Sequence, residues 1–270
     1  MKLPQTIFLP GAFLLFTACT QKAYFQNPVY ANNLLYKTMP TKKEGVRTAS
    51  YGGMSLGYSN MNDEGRDDAF ILSGDLYQTQ QGGIVQGYYG VDMHFGVYRV
   101  GSYYEQGSYD GNESLDVNLL NAKTGNKLFG TMGGSGGINL VARGKDIEWR
   151  YIGIEASIHK EFGSYYRFRK SLHDSAANLI DKQDVFSSLA IYSDFVVEID
   201  RINLGVKLSG GISPRRQLYR NEWKYISYLT QHFLYATFHG ETKKTGFYFQ
   251  VGWGSDYAEV VRWGLNFRLR

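Results

Sequence analysis

The stretch that decides the fold is VQGYYGVDMHFGV, residues 85–97. Val85, Tyr89, Val91, Met93, Phe95 and Val97 fall on one side of an extended chain, with Gly87 among them. Gln86, Tyr88, Gly90, Asp92, His94 and Gly96 fall on the other. Successive side chains of a strand point to opposite faces, so this alternation marks a strand with one apolar and one polar face. The run is longer than the ~5–6 residues of an ordinary strand and suits a bilayer-crossing strand of ~9–11 residues with extensions.

Working outward, the same period recurs. Arg150, Ile152, Ile154, Ala156 and Ile158 oppose Tyr151, Gly153, Glu155, Ser157 and His159. Leu189, Ile191, Phe195 and Val197 oppose Tyr192, Asp194 and Glu198, and Leu204, Val206 and Leu208 oppose Lys207 and Ser209. At the C-terminus Val261, Trp263, Leu265, Phe267 and Leu269 oppose Arg262, Asn266 and Arg268. Less regular candidates are 46–59, 69–78, 128–142, 225–238 and 246–254. The count is about ten, within a range of eight to twelve. Arg150 at the head of one apolar face and Ser193 within another are the exceptions to the pattern. The glycine-rich tract 130–137 is expected to be a kinked strand or a bulge, and 171–184 a short helix in a loop.

The connections alternate between long (60–68, 99–127, 161–187, 211–223) and short (79–83, 143–146, 200–201, 239–245), with only the last, 255–258, out of phase. Short turns at one end and longer loops at the other are the habit of a membrane barrel, with the turns periplasmic and the loops external. The predicted fold is therefore all-β: a single antiparallel up-and-down β-barrel over 45–270. Closure also removes the unpaired edges that hydrocarbon penalises. The 22 Tyr, 16 Phe and 32 Gly against 5 Pro agree with coiled, aromatic-rich strands. A mean hydropathy of −0.34 excludes a bundle of membrane helices but not a barrel, which shows lipid every second side chain. The net charge of +4 is scattered, with no basic helix or aromatic-basic platform for nucleic acid.

The N-terminus carries Lys2, an apolar run over 7–16, and Thr17-Ala18-Cys19. This is the anatomy of an export signal, too short to span a bilayer as a helix. Its end, LLFTAC, resembles the lipobox of bacterial lipoproteins, a resemblance that implies cleavage after residue 18 and acylation of Cys19, the single cysteine. Two or more acyl chains hold a protein firmly to a membrane. Residues 19–44 show little periodicity and read as the anchor and a tether to the first strand. Cys19, the opening segment FQNPVYANNLLY (25–36) and the closing aromatic strands make the chain similar to outer-membrane lipoproteins of Bacteroidota-type bacteria with a small β-barrel domain. That likeness implies an outer-membrane location, with the N-terminus on the periplasmic side.

The polar faces offer Asp92, His94, Glu155, His159, Asp194, Glu198, Lys207, Arg262 and Arg268 as a lumen network. In so narrow a barrel these charges are expected to pair and fill the interior. His94, Glu155 and His159 raise a metal, but Glu155 and His159 lie ~13 Å apart along one strand, so none is expected. Ser171, His173 and Asp174 are too close in sequence for a catalytic triad, no nucleophile elbow is present, and the glycine tract lacks the Lys-Ser/Thr of a phosphate loop. No cofactor is implied. The leading expectation is a non-enzymatic barrel acting as a structural or accessory part of an envelope assembly, with membrane lipid and envelope proteins as partners. The alternatives are an anchored soluble cup for a small apolar ligand, which needs Val91, Met93 and Phe95 to point inward, and a barrel enzyme acting on lipid or sugar.

Overall fold

The computed structural model describes residues 23–30, 33–62, 67–103, 116–177, 179–214, 230–254 and 259–270. Cys19 and the signal segment 1–18 lie outside the described residues.

Ten antiparallel strands close into a barrel: β2 (Thr48–Asn60), β3 (Asp68–Gly82), β4 (Val85–Val100), β5 (Gly125–Arg143), β6 (Ile147–Gly163), β8 (Val185–Ile199), β9 (Ile202–Pro214), β10 (Thr230–Glu241), β11 (Thr245–Gly254) and β12 (Glu259–Arg268). Each pairs with the next in the chain, and β12 pairs with β2 to close the ring. Two two-residue strands, β1 (Tyr24–Phe25) and β7 (Leu179–Ile180), pair in parallel outside it. The helices are η1 (Lys42–Glu44), α1 (Val117–Asn121) and α2 (Ser164–Ser171).

The faces settle the choice between a cup and a membrane barrel in favour of the second. Val91 and Phe95 are 55% and 42% exposed on the outer wall, and Met93 is half-buried there, while Asp92 and His94 are fully buried within. Leu56, Leu72, Ile154, Ile191, Leu208, Phe238 and Trp263 likewise face outward. The apolar lumen that an aliphatic-binding cup requires is therefore reversed.

The glycine tract 130–137 carries no bulge. β5 passes through it in unbroken register with both neighbours. A Cβ at Gly137 would stand 2.7 Å from the ring of Tyr88, so the absence of a side chain lets lumen aromatics lie against the wall. The true irregularities are register shifts between Leu140 and Val141 and between Arg150 and Gly153. At the second, Tyr151 and Ile152 both point outward, 39% and 49% exposed. One extra residue reverses the phase of everything before it, which turns Arg150 into the lumen. The exception read from the sequence thereby disappears, and Ser193 is explained by the indole Nε1 of Trp149, which donates to its Oγ at 2.9 Å on the outer surface.

The helix expected at 171–184 lies earlier. Residues 164–171 carry Tyr165, Phe168 and Arg169 on one buried face, at helical spacing. Gly163 (φ 117) breaks the strand just before them, in a backbone region that L side chains avoid.

Candidate functional site in the barrel lumen

The lumen is occupied by the chain itself. Residues 23–41, read from sequence as part of a tether, run through the barrel with nearly every described side chain buried. The direction is fixed by contacts. At the long-loop end, Tyr24 N donates to Asn62 Oδ1 (2.8 Å), and β1 lies along β7. Lower down, Tyr30 OH donates to the carbonyl of Pro214 (2.7 Å) and Asn33 Nδ2 to Ser188 Oγ (2.9 Å). At the short-turn end, Arg150 Nη2 donates to Met39 O (2.9 Å), and Lys42 N donates to Glu148 Oε2 (2.7 Å). An irregular chain exposes its peptide groups, so a polar lumen is the wall it needs.

Lys37 is the centre of the plug. Asp75 and Asp92 face each other directly across β3 and β4. Two carboxylates opposed in a dry interior repel, and each would be costly without a counter-charge. Lys37 Nζ pairs with both and lies 5.0 Å from the ring centroid of Tyr77. The sequence reading found Asp92 but neither Asp75 nor the cation.

A second cluster lies toward the short turns. Arg150 donates to Asp194 (2.6 Å), Gln86 (3.1 Å) and Met39 O, with Glu148 at 3.2 Å. The other oxygen of Asp194 meets His239 Nε2 at 2.9 Å. Tyr36, from the plug, stacks on His239 with centroids 4.6 Å apart and donates to Glu241. Of this cluster only Asp194 and the polar-face Gln86 were legible beforehand.

The remaining predicted residues fall on separate partners. Glu155 accepts from Lys207 (2.6 Å) and Tyr88 (3.0 Å), away from any shared point with His159. His94 Nδ1 and Ser73 Oγ are 2.8 Å apart, and the His94 and His159 rings are 5.3 Å apart. His159 Nε2 stands 3.8 Å from Asp92. Arg262 donates to Gln250 (3.0 Å) and to Leu34 O of the plug (3.5 Å). Glu198 is buried and paired with the exposed Lys43 (3.1 Å). Arg268 is set apart from the lumen network: it sits at the short-turn rim, paired with Glu44 at 3.0 Å. Among the described residues no three His, Cys, Asp or Glu side chains converge as a metal set.

The long-loop end is closed by a dome. Phe25 of the plug packs edge-on against Phe168 (5.4 Å) and Tyr103 (6.1 Å), and Tyr98 stacks on Tyr165 (4.0 Å). Asp67 ties the rim together, accepting from Gly101 N (2.8 Å), Tyr98 OH (2.7 Å), Tyr103 OH (2.9 Å) and Asn62 Nδ2 (2.6 Å). Burial pushes its carboxyl above the ordinary carboxylate range, and these donors pull it partly back. The triad weighed from sequence is dispersed: Ser171 Oγ donates to Phe168 O and Asp174 pairs with Lys182. His173 instead bridges Ser175 Oγ (2.9 Å) and Asp116 Oδ2 (3.2 Å) in open solvent. The other oxygen of Asp116 caps α1 by accepting from Leu119 N, so the bridge fastens the loop to the start of that helix.

No protein-family model matches the chain, and no curated protein matches it in sequence. Solved structures align with the chain at low identity and low TM-score. An outer-membrane channel from Pseudomonas putida F1 aligns at 10% identity and a TM-score of 0.43, over 87% of this chain and 98% of its own. The β domain of the Bordetella autotransporter Brka aligns at 10% identity and 0.40, over 83% and 99%. A loop-deletion mutant of OmpT, an outer membrane protein of Vibrio cholerae, aligns at 11% identity and 0.32 over 79% of this chain, which spans only 62% of that protein.

Proposed function

We propose that the chain is an outer-membrane β-barrel, anchored by lipid on Cys19, that acts as a non-enzymatic structural or accessory component of an envelope assembly rather than as a conduit. The observation that carries this is the occupied lumen. Lys37, Tyr36 and Leu34 hold the plug to the wall by charge, stacking and backbone hydrogen bonds. The continuous apolar exterior supports residence in lipid, where a closed barrel has no edge to satisfy. With the interior filled, the surfaces left for partners are the long loops and the two rims.

Conductance tests the reading. Purified protein reconstituted in a planar bilayer is expected to stay electrically silent, whereas a variant lacking residues 23–41 passes ions. Stable conductance steps from the intact protein would sink the closed-barrel reading.

A further inference from the structure

The expectation from sequence paired a periplasmic N-terminus with external long loops. The structure puts the first described residues, from Ala23, at the long-loop end. Ala23 O accepts from Leu179 N (3.3 Å) and Phe25 O from Asp181 N (2.8 Å), inside the connection between β6 and β8. The chain then descends the lumen and leaves beside the short turns, where η1 precedes β2. It therefore enters from the side of the long loops.

We infer that the N-terminus is displayed on the external face with the long loops, so that an anchor on Cys19 sits in the outer leaflet. This rests on the membrane-spanning, lipid-anchored reading above. Two lengths decide it. Cys19 precedes Ala23 by four residues, which span at most ~14 Å when fully extended. The 16 residues of β4, at ~3.3 Å rise and ~40° tilt, make a wall roughly 40 Å tall. An anchor so close to the long-loop rim cannot reach the leaflet at the other end. The orientation follows from the loops, because membrane barrels keep short turns periplasmic and place long loops outside. In this protein the connections at 82–85, 143–147, 199–202 and 241–245 are all short.

Epitope tags test this in intact cells: one inserted before Ala23, one at residue 110 between β4 and β5, and one in the β10–β11 turn at 243. Migration on unheated gels verifies that each barrel folds. The tags before Ala23 and at 110 are expected to label intact cells, and the tag at 243 only after permeabilisation. An N-terminal tag hidden in intact cells overturns the inference, whether the tag at 110 is labelled or hidden beside an exposed tag at 243. If the N-terminal tag disturbs folding, Lys22→Cys with a membrane-impermeant maleimide reads the same side. Failure of the underlying reading looks different: no tag is reachable in intact cells, and alkaline carbonate strips the protein from membranes.

Discussion

At the scale of residues, Lys37 is where sequence and structure diverge most. It lies in a segment without periodicity, yet it neutralises two aspartates on neighbouring strands. Replacing it with methionine leaves two like charges opposed in a buried place, a change that costs ~3–5 kcal/mol when one partner of a buried pair is lost. K37M is expected to lower the unfolding midpoint in detergent and to expose the plug to protease. Adding Asp75→Asn and Asp92→Asn should restore most of the loss, since the repulsion is then gone. A K37M protein as resistant as the parent would show that the plug is held elsewhere. Asp92, His94 and Glu155 could be placed inside from alternation alone, because every second side chain of an uninterrupted strand shares a face. Arg150 could not: it showed only as an exception to the alternation, and the pattern does not say that a bulge is the cause.

At the scale of elements, that bulge in β6 is a specific device. Two consecutive outward residues, Tyr151 and Ile152, change the phase so that Arg150 reaches Asp194 while Ile154 and Ile158 keep facing out. Deleting Tyr151 and Ile152 together leaves Arg150 next to Gly153, which restores simple alternation and swings Arg150 toward lipid. Arginine facing hydrocarbon costs up to ~2–4 kcal/mol at mid-depth, less near the interface, and the pairs with Asp194 and Glu148 are lost as well. The deletion is expected to cut the folded fraction on unheated gels strongly, and Arg150→Met in the deleted chain to recover part of it. Equal folding of parent and deletion would mean that the bulge is incidental. The strands were legible because period two survives loop variation. The plug was not, for it is neither helix nor strand. Its one signal was composition: Phe25, Val29, Tyr30, Leu34, Leu35 and Tyr36 are too apolar for a solvated tether.

At the scale of the whole molecule, the short-turn rim carries a collar of basic side chains. Arg47, Arg143, Lys145, Arg201, Lys243 and Lys244 are exposed around the short-turn end, and none is in an ion pair among the described residues. Such a collar beside an apolar wall attracts anionic headgroups, at ~1 kcal/mol per basic residue near a charged membrane and within a Debye length of ~10 Å at 0.1 M salt. Insertion into vesicles is expected to be faster with phosphatidylglycerol than with phosphatidylcholine alone, and the difference to fade at 1 M salt. Changing the six to glutamine should remove the preference. Persistence of the preference in that variant would assign it to other groups.

The threaded segment also dictates an order of events. A segment packed under the dome at its head and continuous with η1 and β2 at its foot is not readily passed through a finished ring. The plug is made before any stave of the barrel, and the seam between β12 and β2 joins the first stave to the last. The sheet is therefore expected to curl around a core already in place, as a cooper bends staves about a form. Lys37 and Tyr36 then act twice, first as the mould that sets the circumference and later as the bolt that keeps it shut.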